Sequence, residues 1–194
     1  LVTSSTPGEG KSAVSSNLAL SLGQMEKVLL IDADMRRPTV GNNYDIPVGS
    51  VGLANLIAGT ATFEEVLHKI DDIDVISAGI VPPNPLELLS SKRFTKIIDK
   101  LVTVYDRIVI DSPPVQAVSD ALILATQARA VIYVVKSDKT TIPVVQKGVG
   151  QLLQNNAAVT GVVLNQVDIK KAKKYGSNYE GYYDHYGYSN DKAK

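Results

Sequence analysis

Leu1-Val2-Thr3-Ser4-Ser5-Thr6-Pro7-Gly8-Glu9-Gly10-Lys11-Ser12 opens the chain, and the reading of this stretch decides the fold. A short apolar run over residues 1–4 enters the loop, and Val14, Leu18, Leu22 and Met25 then recur at helical spacing. Strand, glycine-rich loop and helix in that order form the context a phosphate-binding loop requires. Gly8 and Gly10 let backbone N–H groups approach phosphate oxygens closely, and the helix N-terminus adds partial positive charge. Lys11 has the reach for β- and γ-phosphates, and the Ser12 hydroxyl suits Mg²⁺. Pro7, Gly8, Glu9, Gly10, Lys11, Ser12 and Ala13 are therefore the expected nucleotide-binding residues. The pattern departs at its first position, where Ser5 replaces the usual glycine. The plain alternative is a glycine-rich turn without a ligand.

Further Val- and Ile-rich runs occupy residues 28–32, 74–77, 107–111, 130–135 and 160–165. Phe94, Ile97, Ile98 and Leu101 make a one-faced helix between them, and Val145, Val149, Leu152 and Leu153 make another. Strands apolar on both faces, alternating with amphipathic helices, predict a doubly wound, mostly parallel α/β sheet. Ligands in such folds bind at the carboxyl ends of the strands. A short helix is expected near residues 53–57, and Pro82-Pro83-Asn84-Pro85 forces an extended connection.

Two strands end in acids. Ile31-Asp32-Ala33-Asp34-Met35-Arg36-Arg37-Pro38 closes one, and alternation along an extended chain lets Asp32 and Asp34 face one site. Ile110-Asp111-Ser112-Pro113-Pro114 closes another with a single carboxylate, the Walker-B arrangement. Hard carboxylate oxygens beside a phosphate loop suit Mg²⁺, so Ser12, Asp32 and Asp111 are the expected metal ligands. Strand-end aspartates also serve simply as turn formers. No Glu follows Asp111 to orient a water, which leaves Asp32 as the candidate base or orienting group. Lys11, Asp32 and Asp34 are the expected catalytic residues.

Bulk properties bound the rest. The chain has 194 residues, 44% of them hydrophobic, with zero formal charge and no cysteine. Neutrality gives no global field for nucleic acid or membrane surfaces, so no nucleic-acid partner is expected. The lack of cysteine excludes disulfides and thiol chemistry. No apolar run reaches the about eighteen residues of a membrane span, no signal peptide is legible, and the abrupt opening strand reads as a cut from something longer. Aliphatic side chains nearly vanish after Asp168, so residues 1–168 are expected to form the folded domain and 169–194 a flexible tail. Six of the nine tyrosines lie in that stretch: Tyr175, Tyr179, Tyr182, Tyr183, Tyr186 and Tyr188. Taken alone, the stretch also reads as a low-complexity aromatic segment that adheres to a partner. His68 is expected on a helix, and neither it nor His185 has metal-ligand spacing. Arg36 and Arg37 are open between phosphate contact, subunit contact and surface pairing. No role follows for Lys136, Asp138 or Thr140.

Together the phosphate loop, the Asp32–Pro38 motif, Asp111-Ser112-Pro113-Pro114 and Pro82–Leu89 resemble the bacterial tyrosine kinases of polysaccharide synthesis and export. These are deviant Walker ATPases, related to the septum-site and partition ATPases. The partition ATPases carry a second lysine where this chain has Thr6. The resemblance covers almost the whole chain and implies an ATP- and Mg²⁺-dependent autokinase whose phosphoacceptors are the six clustered tyrosines. It also implies transfer between neighbours in a homo-oligomeric ring, loosened as phosphate charge accumulates. Further implications are a membrane-anchored activator or fused transmembrane region, a cognate tyrosine phosphatase, and a place on the cytoplasmic side of the cell membrane. Asn165 is implied as a reader of the adenine edge, with a strand-end turn residue as its alternative. Two other functions fit the same motifs: a partition-type ATPase switch and a nucleotide-dependent scaffold.

Overall fold

The computed structural model describes residues 1–168; the tyrosine-rich stretch 169–194 lies outside the described residues. In chain order the elements are β1 (Val2–Ser4), α1 (Lys11–Gly23), β2 (Val28–Asp32), α2 (Val40–Asn43), α3 (Leu53–Ala58), α4 (Phe63–Val66), β3 (Leu67–Ile70) and β4 (Ile73–Ile76). There follow α5 (Pro85–Leu89), α6 (Lys92–Leu101), β5 (Arg107–Asp111), α7 (Asp120–Gln127), β6 (Val131–Lys136), α8 (Ile142–Gln154) and β7 (Val159–Asn165). One sheet in the order β3-β4-β2-β5-β1-β6-β7 carries them. Every pairing is parallel except that of β3 with β4. This is the doubly wound sheet that the alternating runs predict.

β2 is buried at all five positions because helices cover both faces. Leu29 and Ile31 pack on one side with Leu53, Leu56, Leu89 and Phe94. Val28 and Leu30 turn to the other side, against Ala19 and the partly buried Val14 and Leu18 of α1. α1 lies close to the sheet through small residues, Ser15, Ser16 and Ala19. The apolar stripe read from the sequence needs one correction: Met25 lies beyond the helix and is solvent-exposed.

A second correction concerns His68. It sits in β3 paired with Val75, not on a helix. Thr62 and Glu65 form a capping box that begins a helical turn, so the local signal is helical. That turn stops at Val66, and the tight reversal at Asp71 (φ 47°) folds the next residues back along β4. Antiparallel pairing at a sheet edge is tertiary and has no local signature here.

The chain runs from β1 across to β2 and β4, returns to β5, and crosses β1 to reach β6. The crossing leaves a crevice at the carboxyl end of β1, flanked by β5 and β6.

Candidate active site

Gly8 (φ 82°) and Gly10 (φ 90°) adopt the left-handed conformation that bends the loop into a cradle. A Cβ at Gly10 would stand 2.0 Å from Asn165 Nδ2, whereas one at Gly8 would meet nothing within 4 Å, so the loop is open on its outer rim. The 13-residue helix α1 starts at Lys11 with no acid in its first turn. No side chain of the helix's own first turn offsets its N-terminal field, which favours an anion.

The loop is fastened from both flanks. Glu9 is buried; its carboxylate accepts from Thr6 N at 2.6 Å, from Lys136 N at 3.4 Å and from the Thr140 hydroxyl. On the other flank Asn165 Nδ2 donates to Glu9 O at 2.9 Å. Asn165, implied above as a reader of the adenine edge, thus has its side-chain nitrogen engaged with the loop backbone. Ser5, the departure from the pattern, is buried with its hydroxyl 2.7 Å from that of Tyr133. A side chain there is tolerated because a buried partner satisfies it.

Lys11, Ser12, Asp32, Asp34 and Asp111 come together, whereas the six tyrosines lie outside the described residues. Pro7 and Ala13 are exposed on the loop and the first turn of α1. Lys11 Nζ donates to Asp34 Oδ2 at 3.0 Å. Ser12 Oγ donates to Asp111 Oδ2 at 2.5 Å, and Thr39 Oγ1 lies 2.8 Å from Ser12 Oγ. Ser15 holds the other Asp111 oxygen at 3.1 Å. This hydroxyl and carboxylate beside the cradle are a hard-oxygen donor set of the kind Mg²⁺ takes, so the residues fit the metal implied by the motif.

Asp32 pairs in register with Asp111 across β2 and β5 and is fully buried. Its Oδ1 accepts from Asp34 N at 3.0 Å, and its Oδ2 accepts from Thr39 N at 3.1 Å and Val40 N at 3.0 Å. Both oxygens therefore hold the backbone of the loop that carries Asp34. Arg36, undecided in the sequence, forms a two-pronged bond with buried Asp120 at the start of α7, at 2.8 and 3.1 Å. Asp120 and Tyr133 gave no sequence signal, because each is recognisable only through a partner far along the chain.

Burial, reinforced by the Asp111 charge, pushes the Asp32 carboxyl up to about 7. Burial likewise pushes Asp111 up to about 6, against the lowering effects of Lys11 and the Ser12 and Ser15 hydroxyls. Each group binds its proton more tightly folded than unfolded. The stability it contributes is full below about pH 4 and is lost as pH rises through 6 to 7. In chelator, Asp111→Asn should gain on the parent by about 1–2 kcal/mol between pH 5 and pH 8, read from urea unfolding. A difference independent of pH would contradict the assignment.

A family model described as an AAA domain matches residues 2–169. The chain is similar to tyrosine-protein kinase YwqD of Bacillus subtilis, with 36% identity over 91% of this chain and 75% of YwqD. It is 39% identical to EpsB of Ralstonia solanacearum over 98% of its own length, but spans only 26% of that protein. Among solved structures, the VpsO kinase domain superposes with a TM-score of 0.84 at 44% identity, covering 86% of this chain and 83% of that one. The phosphate cradle, the paired acids and these matches agree: the chain belongs to the AAA-domain family of P-loop nucleotide-binding proteins and, within it, to the tyrosine-protein kinases.

Proposed function

We propose that this chain transfers the γ-phosphoryl group of ATP to tyrosines of its own segment 175–188, carried by another copy, within a polysaccharide export system. In this reading residues 1–168 are the kinase domain and 169–194 the substrate tail. The observation that carries it is the position after Asp111. Ser112 is buried, with its hydroxyl 3.0 Å from Val2 O and 3.1 Å from Pro113 O. It faces the sheet, so the position after Asp111 offers no carboxylate to orient a water, and the chain concentrates phenols, the alternative nucleophile, in one segment.

Lys11 and the loop amides bind the phosphates, with the Lys11 ammonium leaving Asp34 to do so. Ser12 and Asp111 would hold Mg²⁺, which would supply charge neutralisation at the phosphate oxygens. Asp34, once released by Lys11, is the carboxylate free to orient the incoming hydroxyl and accept its proton. Asp32 keeps the Asp34 loop in place. Positioning and electrostatics carry most of such a reaction. A ring of copies, a membrane-bound activator and an opposing tyrosine phosphatase complete the reading, with the domain on the cytoplasmic face of the membrane.

Intact-mass analysis after incubation with Mg-ATP tests it, against a chain ending at Asp168. Successive phosphate additions that map to residues 175–188 and disappear on truncation are expected. ATP consumption with no added mass would replace this reading with a partition-type ATPase.

A further inference from the structure

Beside the aspartates, the loop after α2 and the loop after β4 enclose a cleft of about 380 Å³. It begins at Pro38, next to Thr39, whose amide is held by Asp32 and whose hydroxyl touches Ser12. Val48, Ile80 and Val81 line it while 97%, 55% and 56% exposed, an unusual clustering of uncovered apolar side chains. None of its lining side chains is charged, although Arg37 immediately precedes Pro38 in the chain.

One wall is rigid. Leu53 N donates to Ser77 O at 2.8 Å and Ala54 N to Ala78 O at 3.0 Å, so residues 77–78 are fastened to α3. Asn55 Oδ1 accepts from both Gly52 N and Ile80 N. A Cβ at Gly52 would come within 2.4 Å of Gly79 N, so only glycine permits this approach. The opposite wall is tied by Ile46 N to Gly41 O at 2.9 Å and by Ser50 Oγ to Pro47 O at 2.7 Å. The cleft is preformed, with no charge to select a charged guest.

We infer that this cleft binds an aromatic side chain next to the tyrosine being phosphorylated, from segment 175–188 of a second copy. The inference rests on the kinase reading and names how its acceptor is recognised. Any tyrosine of the cluster has another within four residues, about 13 Å of extended chain. One phenol can therefore reach the phosphate while its neighbour fills the cleft, a neutral apolar site matched to an aromatic ring. The sheet order favours delivery by a second copy. From β7 to β4 is five strand spacings, about 24 Å, and the direct path crosses β1 and the mouth of its phosphate loop. A segment arriving from the β4 side meets no such obstruction.

Synthetic peptides of residues 175–188 test this, each keeping one tyrosine and carrying either Phe or Ala at the other five positions. For the preferred acceptor, the Ala peptide should show a KM about tenfold above the Phe peptide, with kcat and the KM for ATP unchanged. The Val48→Ser/Val81→Ser double variant, altered only at exposed side chains, should erase that difference and keep the parent Tm. Equal KM values for the Phe and Ala peptides in the parent would overturn the cleft while leaving the kinase reading standing. So would a difference that survives the double variant. No phosphorylation of any peptide, with none of the chain's own tail, would remove both.

Discussion

Lys11→Met should lower tail phosphorylation by at least about 10²–10³-fold, because it removes the ammonium that the phosphate loop holds at the head of α1. A second effect follows from where Lys11 rests. Its ammonium neutralises Asp34, whose side chain is only 4% exposed. Methionine leaves that carboxylate without its nearest counter-ion, at a cost of about 1–3 kcal/mol in unfolding free energy. The two effects separate in a double variant. Asp34→Asn in the Lys11→Met background should recover most of the lost stability and none of the transfer. Transfer returning with stability would mean that Lys11 acts only as a structural partner.

Asp32→Ala has the other large expectation, and it is as much a folding effect as a chemical one. Three backbone N–H groups, those of Asp34, Thr39 and Val40, lose their acceptor, and the Asp34 and Val40 bonds are buried. The loss should be about 3 kcal/mol at pH 5. It should shrink by about 2 kcal/mol at pH 8, because the parent then carries the penalty of an ionised, buried Asp32 beside Asp111. Phosphorylation should fall with the displaced Asp34 loop. If Asp32→Ala keeps the parent's unfolding curve at both pH values and loses only transfer, Asp32 acts on the reacting groups directly.

The parts legible in the sequence are those written in contiguous residues. The strand–loop–helix order around Gly8 and Lys11 and the acids closing β2 and β5 each sit in one short window, and in the folded chain they meet. What the sequence withheld is carried by pairs far apart. Glu9 looks like a loop residue chosen for its backbone, yet its carboxylate spans 131 positions to Thr140. Arg36 is ambiguous until Asp120, 84 residues later, is seen to hold it. Edge strand β3 was hidden for a related reason: the Thr62 capping box is a true local helix signal, overridden by pairing with β4 one residue past the turn. Periodicity reports which face of an element is buried, and nothing in it reports which distant side chain waits there.

The Tyr133 hydroxyl carries a consequence for how this sequence can drift. It touches Ser5 at the head of the phosphate loop, and a Cβ on Gly148 of α8 would lie 1.9 Å from it. Three positions spread over 144 residues are thus inherited as one unit. A methyl group at 148 becomes tolerable only after the ring hydroxyl at 133 is gone, and its loss strands Ser5 unless glycine replaces it. The serine that breaks the loop's usual pattern is bound to choices made on a strand and a helix at least 128 residues away.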